Sequence, residues 1–159
     1  MDDIFKNFKP ICRRHIRKAE RDGIQVVFDL KLFDEFYEIY SNRLRNEGAP
    51  FDSYETIYNL VFAKTNPIDV EIGIAYKNGE KQAAILNIND KKVGYYMYGG
   101  ITSNAHNGSL RLLHWKIIQK YSNKGIEVYK LGGKREDKNL TKKHQNLSNF
   151  KMEFGSEID

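Results

Sequence analysis

Three predicted strands in the middle of the chain, within residues 69–101, constrain the fold most. The stretch DVEIGIAYKNGEKQAAILNIN contains two β-rich segments joined by Asn78-Gly79, the dipeptide preferred in tight type I′ hairpin turns. A polar turn, NDKK, then leads into VGYYMYGGI. Strands that follow one another through turns this short predict an antiparallel meander.

A helix and a further strand follow the meander. The loop TSNAHNG leads to a predicted helix from Ser109 to Asn123, which Gly125 closes. The segment IEVYKLGG predicts a strand parallel to VGYYMYGGI, because a helical crossover separates the two. A polar, basic segment then leads to a last predicted strand that begins near Lys151, where NFKMEFG alternates apolar and polar residues.

The first half of the chain is predicted to be mostly helical. Residues 10–22 predict a basic helix that ends at Gly23, followed by a short strand in IQVVFDL. Apolar residues recur at helical spacing over residues 31–46 and predict a second helix. Ser53 is a suitable N-cap for a third helix, YETIYNLVFAKT.

Composition indicates a folded domain. A chain of 159 residues with 40% hydrophobic and 30% charged residues is typical of one globular unit with a real core. No apolar run approaches the roughly 18 residues that span a bilayer, and the N-terminus lacks a signal-peptide core, so we expect a cytoplasmic protein. We predict one mixed-sheet α/β domain over residues 1–159, with residues 1–23 as a basic N-terminal helix or linker.

The net charge of +5 is concentrated in two basic stretches, KNFKPICRRHIRKAER and KLGGKREDKNLTKKH. These could converge on one anionic ligand, such as a nucleotide, a coenzyme or RNA. Two solvated helical surfaces would explain the same pattern. The single cysteine and the four histidines show no metal-ligand spacing, so we predict no metal site.

Two glycine-containing features could bind a ligand. In TSNAHNGSLRLL the backbone N–H groups of Gly108, Ser109 and Leu110 would open a helix and could bind phosphate oxygens, although Ser109 could equally be a plain helix cap. The strands YYMYGG and YKLGG both end in Gly-Gly, which permits a bulge or the close approach of a ligand to the backbone.

Lys151 is the third candidate, because the charge of a lysine can stabilise a developing oxyanion. Alternation alone favours a simpler interpretation, an outward-facing lysine on a strand. His114, in RLLHWKII, is predicted to be a helix-surface residue or a satisfied core residue rather than a base.

Five stretches, in order, resemble the second domain of the Fem family, the aminoacyl-tRNA-dependent transferases that build peptidoglycan cross-bridges. They are RRHIRKAERDGIQV, FDEFYEIYSNRLRNEGAP, YYMYGG, LLHWKIIQKYSNKGIEVYKLGG and LSNFKMEFGSE. The resemblance implies the fold of the GCN5-related N-acetyltransferases, in which an antiparallel meander and a β-α-β crossover form a V-split mixed sheet that holds the acyl donor. It also implies transfer of an acyl or aminoacyl group onto an amine of a cell-envelope precursor or sugar nucleotide.

The resemblance implies roles for individual residues. Phe150-Lys151 matches the family's Phe-Lys motif, whose lysine stabilises the tetrahedral intermediate. The donor-binding loop would contain Asn107, Gly108, Ser109 and Leu110. The acceptor- or phosphate-binding residues would be Arg14, Arg17, Tyr98, Gly99, Gly100 and Tyr129. The donor would be aminoacyl-tRNA or an acyl-coenzyme A, although the loop lacks the Gln/Arg-x-x-Gly-x-Gly/Ala pattern of acetyl-coenzyme A users.

Members of the Fem family usually carry two such domains, whereas this chain has one. Lys130 also stands where the family's Tyr-Asp-x-Gly-Gly motif has an aspartate. An alternative function therefore stays open: a catalytically inactive single-domain relative that binds a nucleotide or RNA, or that acts as an assembly module. Such a module would work as a homodimer or with a partner domain.

Overall fold

The computed structural model describes residues 1–63, 67–132 and 150–155 of the chain. The helices are α1 (Asp2–Lys6), α2 (Pro10–Arg21), α3 (Phe33–Asn46), α4 (Tyr54–Phe62) and α5 (Ser109–Asn123), with a 3-10 turn at Leu30–Leu32. The strands are β1 (Gln25–Phe28), β2 (Asp69–Lys77), β3 (Glu80–Asn89), β4 (Val93–Ile101) and β5 (Val128–Lys130).

The five strands form one mixed sheet in the order β1-β2-β3-β4-β5. Strands β1 to β4 are antiparallel neighbours, and β5 lies parallel to β4 after the α5 crossover. Asn78 and Gly79 join β2 to β3 with φ values of 51° and 79°, the left-handed conformations that a type I′ turn requires. The predicted meander and the predicted parallel crossover strand are both confirmed.

Helices cover both faces of the sheet. On one face α2 and α5 pack through a buried cluster that includes Ile16, Leu113 and Ile117. On the other face α3 and α4 pack through a second cluster that includes Phe36 and Ile57. Each of these four helices buries one apolar stripe in its cluster, as helical spacing of apolar residues predicts.

The predicted helices in the first half of the chain are present, and their first or last residues differ from the predictions by one to three positions. The side chain of Asp29 accepts a hydrogen bond from the Lys31 N–H at 2.9 Å, which caps the 3-10 turn, so α3 begins at Phe33. The predicted Ser53 cap is confirmed, since its Oγ accepts from the Thr56 N–H at 3.2 Å. The predicted third helix continues to residue 65, but α4 ends at Phe62 because Ala63 is extended; residues 64 and 65 lie outside the described residues. The short helix α1 was not predicted.

The last predicted strand is wrong: residues 150–152 are helical, and a turn follows to Gly155. Phe150 and Phe154 are four residues apart, so one helical turn places both rings on the same side, with their centroids 5.7 Å apart. Phe154 is buried and packs edge-on against Phe8 at 5.1 Å. A five-residue alternation fits a helical turn as well as a strand, and the packing of these two rings, Phe154 buried and Phe150 partly buried, decides between them.

Candidate functional site

The sheet opens between β4 and β5. These strands pair over three residues only, Val93–Tyr95 with Val128–Lys130. From residue 96 to residue 101, β4 pairs with β3 on one side and with no strand of the described residues on the other. The opening leaves backbone hydrogen-bonding groups of β4 available, and such groups in native structures are paired with protein, water or ligand.

A β-bulge shapes the wall of this opening. Asn87 pairs with Tyr96 and the neighbouring Leu86 pairs with Tyr98, so Met97 is the extra residue of β4. Tyr96 and Gly99 consequently lie on the same face, and a Cβ at Gly99 would overlap the Tyr96 hydroxyl. Gly99 therefore provides space for the Tyr96 side chain.

Tyr98 and Gly100 lie on the opposite face of the sheet, under α3. The Tyr98 hydroxyl donates to the Asp52 carboxylate at 2.5 Å. A Cβ at Gly100 would lie 3.3 Å from the carbonyl oxygen of Ile39, so this glycine lets α3 approach the strand. Tyr98 and Gly100 therefore lie on one face of the sheet and Tyr129 on the other, so the structure does not bring these three predicted acceptor-binding residues together.

A buried polar chain lies on the α5 face of the opening. His114 is 0% exposed, and its Nδ1 lies 2.8 Å from the Tyr129 hydroxyl, which lies 3.4 Å from Asn87 Oδ1. Burial lowers the pKa of His114 to about 3, and the nearby charge of Lys151 acts in the same direction. The imidazole is therefore neutral at ordinary pH, and its Nε2 has no hydrogen-bond partner within the described residues.

Lys151 lies where β5 ends. A Cβ at Gly132, which has a φ of 89°, would lie 2.8 Å from the Lys151 Nζ. Partial burial lowers the pKa of Lys151 below its usual value. The preceding Phe150 packs with its ring centroid 5.9 Å from that of His114. The structure thus brings Lys151 and Phe150 together with His114 and Tyr129, although these residues come from three separate elements.

A groove of about 440 Å³ runs along the outer side of β5 beside this cluster. Its lining includes Tyr129, Gly132 and Phe154, together with Tyr121 of α5. Tyr121 packs so closely on β4 that a Cβ at Gly94 would overlap its ring. The end of β5 therefore borders a space that an elongated ligand could occupy.

The predicted donor loop is closed by its own hydrogen bonds. The Gly108 N–H donates to Nδ1 of His106 at 3.0 Å, and the Ser109 N–H donates to the His106 carbonyl at 3.0 Å. The Ser109 hydroxyl donates to that same carbonyl at 2.7 Å. Because Nδ1 accepts, Nε2 of the neutral ring carries the hydrogen and faces the Asp22 carboxylate at 2.7 Å.

The expectation that the N–H groups of Gly108 and Ser109 are free for phosphate is therefore wrong, because His106 already occupies both. Asn107 is exposed and Leu110 is half-buried. Binding of the donor by this loop stays a prediction for all four residues.

Gly108→Ala tests how tightly α2 covers this loop. An added Cβ would overlap the His15 carbonyl oxygen and lie 2.9 Å from Cβ of Ala19, both on α2. The helix would have to shift, so we expect a loss of about 1–3 kcal/mol in the free energy of unfolding, measured by urea denaturation. Asn107→Ala, at the exposed neighbouring position, is the control. Equal stability of Gly108→Ala and the wild type would contradict the packing.

The two predicted anion-binding arginines are exposed on α2. The Arg17 guanidinium lies 5.2 Å from the ring centre of Phe5. The N-terminal end of this helix meets the Lys151 segment, since the Lys9 N–H donates to the Glu153 carbonyl at 2.8 Å. Binding of an anionic ligand by Arg14 and Arg17 stays a prediction.

A sequence profile of the acetyltransferase (GNAT) domain matches residues 6–144. The chain belongs to this GNAT family. The mixed α/β fold predicted from the resemblance is confirmed, and the parting of β4 from β5 lies where that fold was expected to hold an acyl donor. No curated protein sequence matches the chain significantly.

Solved structures support the GNAT fold at low sequence identity. FemX superposes with a TM-score of 0.80 and 14% identity, over 97% of this chain and 55% of FemX. L-PGS from Bacillus licheniformis superposes with a TM-score of 0.64 and 12% identity, over 96% of this chain and 55% of L-PGS. The third structure is meta-AAC0020, an aminoglycoside acetyltransferase from an uncultured soil metagenomic sample, in complex with sisomicin. It superposes with a TM-score of 0.63 and 12% identity, over 89% of this chain and 93% of meta-AAC0020. The GNAT chain thus spans about half the length of FemX and of L-PGS.

Neither a cluster of metal-binding side chains nor a membrane-spanning helix is found among the described residues of the GNAT chain. Within residues 1–63, 67–132 and 150–155, no three potential metal-binding side chains of the His, Cys, Asp or Glu type cluster together. No helix in the part of the chain that the structure describes has the length and apolar character needed to cross a membrane.

Sequence reasoning missed two residues that contact this cluster. Asn87 and Arg111 carried no local signal, because their partners Tyr129 and Glu153 are each 42 residues away in the chain. The burial of His114 agrees with the core alternative, but its Nε2 is not satisfied within the described residues. Its link to Tyr129 required the strand order to be known.

Proposed function

We propose that this GNAT protein transfers an acyl or aminoacyl group onto an amine of a cell-envelope precursor or sugar nucleotide, in the manner of the Fem family. The observation that carries the proposal is the position of the Lys151 ammonium beside Gly132, where β5 parts from β4. The superposition on FemX, and the presence of L-PGS among the similar structures, support a branch that handles aminoacyl donors.

The proposed chemistry is one nucleophilic substitution at a carbonyl. The acceptor nitrogen attacks the carbonyl carbon of the donor, and the carbonyl oxygen gains a negative charge. The intermediate collapses and expels the donor's alkoxide, from aminoacyl-tRNA, or thiolate, from an acyl-coenzyme A, and the proton lost by the amine neutralises that leaving group. The role of Lys151 is to stabilise the oxyanion, and its partial burial strengthens that interaction relative to water.

A comparison of donors tests the proposal. We expect either a charged tRNA or an acyl-coenzyme A to raise the melting temperature, because a ligand at about 100 times its Kd stabilises the folded state by about 2.7 kcal/mol. Uncharged tRNA and free coenzyme A are the matched controls for the acyl group. The same donor should then label an amine-bearing UDP-sugar precursor. Folded protein that transfers from neither donor class to any amine would refute the proposal.

A binding module without catalysis is the second candidate, favoured by the exposed Arg14 and Arg17 on α2. It would bind a nucleotide or RNA, alone or as a dimer or with a partner domain. Several phosphate contacts would make the affinity fall steeply with salt. Salt-dependent RNA binding in a protein that transfers no acyl group would favour this candidate over the first.

A further inference from the structure

One guanidinium on α5 contacts the residues on either side of Lys151. Arg111 Nε donates to Glu153 Oε2 at 2.7 Å, and Nη2 donates to Oε1 at 3.1 Å. Its Cζ also lies 5.1 Å from the ring centre of Phe150. The lysine is therefore bracketed by a cation-π contact at the preceding residue and a two-point ion pair two residues later.

The contact between Arg111 and Glu153 is largely shielded from water and held at several points. The Arg111 and Glu153 side chains are only 18% and 13% exposed. Arg111 Nη1 donates a third hydrogen bond, to the Asn107 carbonyl at 2.8 Å. The planar guanidinium thus uses all three of its nitrogens, which fixes its orientation in a way that a lysine ammonium cannot reproduce.

The segment has a separate anchor in the core. Phe154 packs on Phe8 at 5.1 Å and on His114 at 5.6 Å, and it is 7% exposed. Burial of this ring holds the segment against α2 and α5 whether or not the ion pair forms. Arg111 would then contribute something that Phe154 does not: it would fix how the helical turn is oriented about the Phe154 anchor.

We propose that Arg111 is a positioning residue, which sets the direction of the Lys151 side chain by holding Phe150 and Glu153. The inference rests on the proposed function, because positioning matters to catalysis only if Lys151 stabilises the oxyanion. Without Arg111 the turn would keep its anchor, but the ammonium would leave its half-buried place beside Gly132.

The test follows the titration of the Lys151 amine, by NMR of protein labelled at the lysine ε-carbon, with Lys151→Met to assign the resonance. In the wild type the amine should titrate below the ordinary lysine pKa of about 10.4. In Arg111→Met the pKa should return toward that value, because the amine becomes solvated. Arg111→Lys should restore only part of the wild-type behaviour. As a second readout, acetic anhydride should modify Lys151 more slowly at neutral pH in Arg111→Met, because the fraction of free amine falls about tenfold for each unit that the pKa rises.

Glu71→Gln is the matched control. Glu71 is also 13% exposed and pairs with Lys120 and Lys124 near the other end of α5, at 2.9 Å and 2.6 Å. Its removal should lower stability and leave the Lys151 titration unchanged. Glu153→Gln removes the ion pair between Arg111 and Glu153 by changing the carboxylate instead of the guanidinium. Its Lys151 titration tests the proposal if Arg111→Met does not fold.

An unchanged Lys151 titration in Arg111→Met, or in Glu153→Gln where the first does not fold, would overturn the proposal. The titration needs no substrate, so its result is independent of the transfer assay. Normal transfer by Lys151→Met would refute the role of Lys151 at the oxyanion while leaving the titration result intact, and absence of transfer by the wild type would refute the proposed function. A shifted titration cannot arise from lower stability alone, because the Glu71→Gln control measures that effect.

Discussion

Lys151→Met is expected to reduce acyl transfer by about 100-fold or more, the typical loss when one group that stabilises an oxyanion is removed. Methionine keeps most of the length of the lysine stem and removes the ammonium group, with its charge and its N–H donors. Because Lys151 is half-buried beside Gly132, its charge is less screened by water than that of an exposed cation and would act more strongly on the carbonyl oxygen. The measurement is turnover with the donor identified by the stabilisation experiment, at saturating acceptor.

The fold should survive this substitution. Partial burial lowers the pKa of Lys151, which means that the charged amine is less favourable in the folded state than in the unfolded state. The methionine variant should therefore be at least as stable at neutral pH, as thermal denaturation would show. Lys116→Met, at a 41% exposed position on α5, is the matched control and should retain turnover. Undiminished turnover in Lys151→Met would remove the lysine from the mechanism.

The protein is expected to lose on the order of 4 kcal/mol of stability through His114 as the pH falls from about 6.5 to about 3. The folded-state pKa of His114 is about 3, whereas the unfolded chain titrates near 6.5. Between these values the unfolded state binds a proton that the folded state does not. Stability therefore rises with pH across this window and is lost as the pH falls through it.

Urea denaturation of the wild type and of His114→Phe at several pH values between 7 and about 3.5 measures this contribution. The phenylalanine ring keeps the contacts with Tyr96 and Phe154 but cannot be protonated. We expect the variant to be less stable at neutral pH, because the Tyr129 hydroxyl loses its bond to Nδ1, and to have a shallower acid dependence. Titration of the carboxylates is common to both proteins. Parallel stability curves would show that His114 titrates normally.

The sequence predicted the elements best where short-range chemistry specifies the backbone. Asn78-Gly79 specifies a hairpin turn, and the Ser53 hydroxyl caps α4. The apolar residues at helical spacing in α5 predict a helix from Ser109 to Asn123, which are its observed bounds. These signals depend on neighbours within about four residues, so they are visible in the sequence before the tertiary structure is known.

The prediction failed where a local pattern was ambiguous. NFKMEFG fits a strand by its alternation and a helical turn by the spacing of its two phenylalanines, and no residue in the segment distinguishes the two. Contact with Phe8 and His114 selects the helical turn, because it buries the Phe154 ring and partly buries the Phe150 ring. Likewise, the sequence showed a helix N-terminus at Gly108, but the fold supplies His106 to occupy its N–H groups.

By itself, the sequence determined the order of helices and strands, the resemblance to an acyltransferase, and Lys151 as a candidate. The tertiary structure alone decided which side chains surround that lysine. The bidentate pair of Arg111 with Glu153 and the contact of Asn87 with Tyr129 each join residues 42 positions apart. Such partners meet only after the sheet has formed and the crossover helix has packed on it, because no interaction within one helix or strand spans that separation.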